Sequence, residues 1–245
     1  MNLSIVTATY NSLSTLKLAW SSLSSQTFSD WEWIVVDGAS TDGTVEWLQT
    51  INDPRVKWES EKDQGIYDAL NKGIGRSNGT VLGFLHADDF FADDRVLESI
   101  HDRLTQSDVD GIYGDLKYVS AETGRTVRHW KSEVFRSSLL RKGWMPPHPT
   151  CFFKKEVYAH AGLFDTTFRI AADYDFLLRC FLNDRFQFAY LPQVITHMRI
   201  GGASSKWQNL LKKSREDVRA LRKNGMVFPL VVLLRKVSSK LGQFF

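Results

Sequence analysis

Four acidic clusters, each beside an apolar run, are the residues in this chain with the clearest chemical potential. Asp88 and Asp89 stand together in His86-Ala87-Asp88-Asp89, directly after Val81-Leu82-Gly83-Phe84-Leu85. Two carboxylates delivered by one strand end are hard oxygen ligands suited to Mg²⁺ or Mn²⁺, and such an ion would in turn hold a diphosphate. The same pair can instead cap a turn, where Asp is favoured anyway. Asp37 opens Asp37-Gly38-Ala39-Ser40-Thr41-Asp42-Gly43-Thr44, in which a strand-end carboxylate can accept from a base N–H or from ribose hydroxyls. A plain Asp/Gly turn with Asp42 as helix cap fits equally.

The third cluster, Asp63-Gln64-Gly65-Ile66-Tyr67-Asp68-Ala69-Leu70-Asn71-Lys72-Gly73, puts Gly65 at a helix start, with Tyr67, Asn71 and Lys72 about one turn apart. Helix N-terminal amides with a lysine nearby favour phosphate oxygens. Lys72 also reads as an ordinary solvated lysine. The fourth, Ala172-Asp173-Tyr174-Asp175, begins an apolar helix, and a carboxylate there can take the proton from an attacking hydroxyl. The two acids can equally complement the helix dipole.

The elements that must position these clusters follow from the hydrophobic periodicity. Strands are expected at Leu3 to Thr9, Trp31 to Val36, Val56 to Glu59 and Val81 to Leu85, with helices at Ser12 to Gln26, Thr44 to Ile51 and Ile66 to Arg76 between them. Three β/α alternations imply an α/β domain with a mostly parallel sheet and right-handed crossovers. Thr9-Tyr10-Asn11, the Asp37 turn and His86 to Asp89 then share the carboxyl rim, where such sheets bind ligands. Beyond residue 95 the pattern turns α+β. A helix is expected at Val96 to Thr105, strands at Gly111 to Tyr118, Thr126 to Trp130 and Phe186 to Val194, and a helix at Tyr174 to Phe181. A Pro-broken loop runs from Met145 to Pro149.

The 245 residues carry a net charge of only +3, yet residues 206–245 hold ten Lys and Arg against Glu216 and Asp217, so the body is net negative. Such asymmetry points the C-terminal end at an anionic partner, phospholipid headgroups or a phosphorylated lipid before nucleic acid. Lys206 to Lys223 reads as a basic helix and Val227 to Leu234 as an apolar stretch too short to span a bilayer. Basic residues beside a short apolar segment suit an interfacial helix, or a helix packed on the domain or on a second copy in a homodimer. The N-terminus shows no basic n-region or cleavage site, which predicts a cytoplasmic protein. Cys151 and Cys180, without a second pair, read as reduced buried thiols.

In this order and spacing the clusters resemble those of the nucleotide-diphospho-sugar glycosyltransferases of family 2, which have the GT-A fold. The resemblance runs from Leu3 to about Arg199 and includes Thr9-Tyr10-Asn11, Asp37 to Thr44, Asp63 to Gly73, His86 to Asp89 and Ala172-Asp173. It implies that Ala8, Tyr10 and Asp37 hold uracil and ribose, that Asp63 and Lys72 lie beside the nucleotide, and that Asp88 ligates Mn²⁺ or Mg²⁺. Asp173 would be the catalytic base, with Asp175 as rival, and direct displacement would invert the anomeric carbon. His197 would be a third metal ligand with Asp88 and Asp89. His148 and Trp144 would line the acceptor pocket, the indole stacking on a sugar face.

Two positions depart from the family pattern. His86 stands where its first acid often lies, and Ala172 replaces the Glu of its Glu-Asp motif. The stretch Gly201-Gly202-Ala203-Ser204 is similar to bacterial enzymes of O-antigen, capsule or exopolysaccharide assembly. The expectation is a UDP-sugar transferase acting on a lipid-linked glycan, peripheral at the inner membrane face. Residues 1–205 form its catalytic domain, with a nucleotide-sugar half at 1–94 and an acceptor half at 95–205, and 206–245 form the tail. A catalytically inactive sugar-nucleotide or glycan-binding subunit is the alternative that His86 and Ala172 support. A nucleotidyltransferase would carry a Gly-rich basic loop after the first strand, which Thr9 to Leu13 lacks.

Overall fold

The computed structural model describes residues 2–200 and 207–239. Its first half is β1 (Leu3–Thr9), α1 (Leu13–Ser24), β2 (Trp31–Asp37), α2 (Thr44–Gln49), β3 (Val56–Ser60), α3 (Ile66–Arg76), β4 (Val81–Phe84) and β5 (Asp89–Phe91). The second is α4 (Val96–Thr105), β6 (Gly111–Ser120), β7 (Thr126–Trp130), α5 (Ser137–Leu140), a 3₁₀ turn (His148–Thr150), β8 (Phe152–Lys154), α6 (Lys155–Ala161), α7 (Ala172–Phe181), β9 (Phe188–Ile200), α8 (Trp207–Lys223) and α9 (Pro229–Ser239). The strands form one sheet in the order β3-β2-β1-β4-β8-β6-β9-β5, with β7 paired to β6. β3, β2, β1 and β4 are mutually parallel, as the alternating pattern requires, and β8 joins them antiparallel.

Side-chain alternation along the strands divides the core between the two faces of the sheet. Leu3 and Ile5 of β1 pack with Trp33 and Val35 against Leu16 and Leu23 of α1 and Ile100 of α4. Val6 and Ile34 face the other way, onto Leu70 and Ile74 of α3. α3 crosses β1 so closely that a Cβ on Gly73 would lie 2.3 Å from Val6 Cγ1. Phe152 of β8 fills the space left by Gly83, where a Cβ would meet its ring at 2.2 Å. Cys151 and Cys180 are free and buried.

Glu32 ties four segments together at the amino edge of the sheet. Its buried carboxylate accepts from Ser4 Oγ on β1 at 2.6 Å, from Lys57 Nζ on β3 at 2.7 Å, and from the amides of Asn78 and Gly79 at 2.5 and 3.2 Å. Burial alone would raise its pKa, but Lys57, Ser4 and Asn78 outweigh it and hold the carboxyl down at about 2. The folded-state value lies below the unfolded one, so the unfolded chain binds more protons between pH 4.5 and 2 and stability falls as the pH drops through that window. Allowing for the half-exposed Lys57, the loss should be about 2 kcal/mol. Thermal unfolding midpoints at pH 5, 3.5 and 2.5 should fall more steeply for the wild type than for Glu32→Gln; parallel curves would refute this role.

Several stretches differ from the sequence expectation: α5 and α6 fall where the periodicity gives no helix, and β9 runs on to Ile200, past the expected end at Val194. Asp89–Phe91 and Phe152–Lys154 are three-residue strands, too short to carry a period. The apolar stretch after Gly225 is the amphipathic helix α9, started by Pro229 and packed on the domain through Val232 and Lys236. The expected Gly201-Gly202-Ala203-Ser204 feature and the residues Lys206 and Lys240 lie outside the described residues. Among the described residues no helix is long and apolar enough to cross a membrane.

Candidate active site

Two loops after β1 and β2 are laced together at the carboxyl rim. Asn11, in the left-handed region at φ 47°, donates its amide to Ser40 Oγ at 2.7 Å and accepts from the Thr41 amide at 2.8 Å. Asp42 accepts from the Leu13 amide at the start of α1, at 2.9 Å, and from the Thr44 amide and hydroxyl. Asp37 is fully buried and accepts from the Ser40 amide and hydroxyl and from Ser60 Oγ at 2.6 Å. Gly38 after it fits between Asp63 and the Tyr10 ring, where a Cβ would come 2.7 Å from the Asp63 carboxylate.

Beside these loops opens a cavity of about 840 Å³, within the range of ligand pockets. Ala8, Thr9, Tyr10 and Ser12 line it from the end of β1, Asp63 to Tyr67 from the start of α3, and His86 to Asp89 from the end of β4. Arg169 and Ile170 line the wall before α7, and Met198, Arg199 and Lys212 come from β9 and α8. Tyr10 is 63 % exposed, leaving its ring free to stack on a flat ligand. Gly65 has φ +119°, a conformation that favours glycine, and its amide donates to Asp63 Oδ1 at 2.8 Å.

Of the nucleotide-site residues named from the sequence, the structure brings Ala8, Tyr10, Asp63 and Asp88 onto this cavity, with Asp37 packed behind Gly38. Lys72 is turned elsewhere, its ammonium 2.6 Å from Glu61 and 3.5 Å from Asp68. Asp88 and Asp89 do not stand as a matched pair at the rim. Asp88 is half-buried on the cavity wall, whereas Asp89 is 1 % exposed within β5, opposite Met198 of β9. Burial, reinforced by the Asp88 charge, pushes the Asp89 carboxyl well above its usual range against the pull of Arg199. His197 is not among the cavity-lining residues; its ring meets Phe90 edge-on at 5.1 Å, since adjacent strand residues face opposite ways.

The two acids of α7 have different surroundings. Both hydrogen bonds to Asp173, from Tyr67 Oη at 3.2 Å and from the Tyr174 amide at 2.8 Å, end on Oδ1. Asp173 does not itself line the cavity; Tyr67, which does, connects it. Asp175 is 0 % exposed and accepts from Arg179 Nε at 3.1 Å, Lys223 Nζ at 3.0 Å and Asn224 Nδ2 at 2.9 Å. Such a carboxylate is committed to holding α7 and α8 together.

The expected acceptor residues are packed inside. Trp144 belongs to an aromatic cluster with Tyr113, Phe135 and Phe181, at centroid distances of 5.6 to 5.9 Å, rather than to the cavity wall. His148 is buried, 4.9 Å from the Phe84 ring and 6.1 Å from that of His86. Burial holds the His148 imidazole down at about 4 and lowers that of His86, the latter against the charges of Asp88 and Asp173, so both are neutral at pH 7. Arg169, Arg199 and Lys212 were not legible as site residues, because nothing local in the sequence says that β9 and α8 return to this rim.

An α/β sheet whose parallel strand ends form one wall of a ligand-sized cavity, with a second wall built by later helices and strands, defines a protein that binds its ligand at the carboxyl rim of an α/β sheet. The model of glycosyl transferase family 2 matches residues 4–162, and the chain belongs to that family. It is 31% identical over 208 residues to a PGL/p-HBAD biosynthesis glycosyltransferase of Mycobacterium tuberculosis, covering 82% of this chain and 78% of the relative. Among solved structures it superposes on S. aureus TarS 1-349 in complex with UDP-GlcNAc with a TM-score of 0.72 at 18% identity, over 97% of this chain and 72% of the other. The mannosyltransferase PcManGT of Pyrobaculum calidifontis, in complex with GDP-Man and Mn²⁺, gives 0.68 at 18%, over 96% and 68%. These structures share the GT-A fold expected from the sequence, and the protein is a glycosyltransferase. Asp173, all of β9 and the tail lie beyond the family match.

Proposed function

We propose that this glycosyltransferase moves a sugar from a UDP-sugar onto a hydroxyl of a lipid-linked glycan with inversion, at a membrane surface, during surface-polysaccharide assembly. The observation that carries the reading is that one cavity joins Tyr10, Asp63 and Asp88 on the strand-end side to Tyr67 and the loop leading into α7 on the other. Tyr10, Ala8 and Asp37 would frame uracil and ribose. Arg199, Lys212 and Arg169 would bring positive charge to the diphosphate. TarS with UDP-GlcNAc supports a uridine donor, and the name of the mycobacterial relative, a PGL/p-HBAD biosynthesis glycosyltransferase, supports a biosynthetic role.

Asp88 fits a divalent ion, Mg²⁺ or Mn²⁺. Among the described residues no three His, Cys, Asp or Glu side chains form a cage, which suits an ion held by one carboxylate and completed by diphosphate oxygens and water. When bound, such an ion neutralises charge developing on the leaving diphosphate. Asp173 Oδ2, left open while Oδ1 takes the Tyr67 and Tyr174 donors, would accept the proton of the attacking hydroxyl. His86 and His148, kept neutral by burial, add no positive charge beside that carboxylate.

Membrane contact rests on α9 and the turn before it. Val227, Phe228, Leu230, Val231, Leu234 and Val237 are exposed while Val232 and Lys236 face the domain. Arg141, whose carbonyl accepts from Arg235, flanks this ridge with Arg235 and supplies cationic partners for headgroups.

Calorimetric titration of UDP and a panel of UDP-sugars tests the donor reading. Binding should require Mn²⁺ or Mg²⁺, be lost in EDTA, and weaken at least tenfold in Asp88→Asn. Binding that ignores EDTA would sink the metal role, and no binding at all would point to another nucleotide or an inactive subunit.

A further inference from the structure

The loop that leads into α7 is held from both sides by residues of other elements. Glu216, on α8, accepts from three consecutive amides of that loop: Arg169 at 3.1 Å, Ile170 at 2.8 Å and Ala171 at 3.0 Å. From the opposite side Tyr67 Oη donates to the Ile170 carbonyl at 2.7 Å and to Asp173 at 3.2 Å. The Ile170 residue is therefore gripped at its N–H by α8 and at its C=O by α3. α7 has no side-chain cap of its own, since Ala171 precedes it, and Glu216 places an anion at that pole instead.

Glu216 is part of a stripe. Arg219 donates to Thr167 Oγ1 at 2.6 Å, Lys223 bridges Asp165 and Asp175 at 2.8 and 3.0 Å, and Asn224 reaches Asp175 at 2.9 Å. These positions, three, seven and eight residues beyond Glu216, lie on one face of the helix and close over the segment from 165 to 175. Of this stripe, Glu216 is the member that reaches the three residues immediately before α7.

We propose that Glu216 is a positioning residue for Asp173, which it never touches: it fixes the start of α7, and with it the height of the Asp173 carboxylate relative to the cavity. The proposal rests on the reading of Asp173 as the base. All three amides end on Oε2, with Oε1 sharing that of Arg169, so Glu216→Gln removes the negative charge that holds them and turns an NH₂ group against the Arg169 amide, which loosens the loop. A displacement on the order of 1 Å at a reacting group can cost about 10²-fold. The donor residues Tyr10, Asp63 and Asp88 lie on other elements and stay where they are.

The test measures UDP release from the UDP-sugar selected by titration, with water as acceptor, for wild type, Glu216→Gln and Asp173→Asn. Glu216→Gln should lose at least tenfold in kcat, with a smaller rise in KM for the UDP-sugar because Arg169 lies in the released loop, and hydrogen exchange at the amides of Arg169 to Ala171 should speed up in this variant but not in Asp173→Asn. A wild-type kcat in Glu216→Gln, with Asp173→Asn inactive, overturns the positioning role and leaves the base intact. Normal turnover in Asp173→Asn overturns the base reading itself. Should Glu216→Gln not fold, Glu216→Asp keeps the charge and shortens the reach by one methylene; its kcat should fall likewise, by more than KM rises, and an unchanged kcat overturns the proposal.

Discussion

Asp173→Asn should reduce turnover by at least about 10²-fold while UDP binding stays within a few-fold of wild type, because removal of a general base costs about 10²- to 10⁴-fold. The replacement is isosteric, and the Asn oxygen can still accept from Tyr67 and the Tyr174 amide, which both end on Oδ1. The fold and the donor wall should therefore persist, and only the proton acceptor is lost. Turnover within tenfold of wild type would remove Asp173 from the role. Asp175 could not simply take its place, since it is sealed and holds three donors. Asp175→Asn should act differently, lowering stability by leaving Lys223 and Arg179 short of charge, and a melting curve separates the two effects.

Leu230→Gln with Leu234→Gln should release the protein from vesicles containing anionic lipid. The two side chains are 58 % and 70 % exposed, so the folded protein gives them nothing to pack against. They stand one turn apart on α9 and would enter the headgroup boundary together. Burying each is worth about 1.5–3 kcal/mol, so losing both should weaken co-sedimentation by well over tenfold. Glutamine is a good helix former and adds no charge, which keeps α9 intact and leaves Arg235 and Arg141 to act alone. Undiminished co-sedimentation would discard membrane contact through this helix. Retained UDP release by the double variant would show that the ridge serves location and not chemistry.

The donor half was legible because each of its strands is an apolar run that ends in a polar cluster and is followed by a periodic helix. That arrangement puts Tyr10 and Asp88 on one rim, the family resemblance adds Ala8 and Asp63, and all four line the cavity. Strands β5 and β8 were not legible, since three residues carry no alternation; Phe152 reveals its role only by seating over Gly83. Asp173 and Asp175 could not be separated by sequence, being two positions apart on one helix. What distinguishes them is Lys223 and Asn224, some fifty residues later. Trp144 and His197 drew attention by residue type, but their rings are taken up by Phe135, Phe181 and Phe90. Long-range packing, which no window of sequence contains, decided both.

The stripe on α8 also constrains how such enzymes can be recombined. Asp165 and Asp175 stand before and on α7, whereas groups that satisfy them, Lys223 and Asn224, stand at and just after the end of α8. A hybrid that joined residues 1–205 of this chain to the tail of a relative lacking these groups would inherit the fully buried Asp175 carboxylate with two of its three donors missing. Stranding a buried charge costs about 3–5 kcal/mol, much of a domain's total stability. The crossover point for a functional hybrid therefore lies before residue 165, so that the acids travel with the helix that neutralises them.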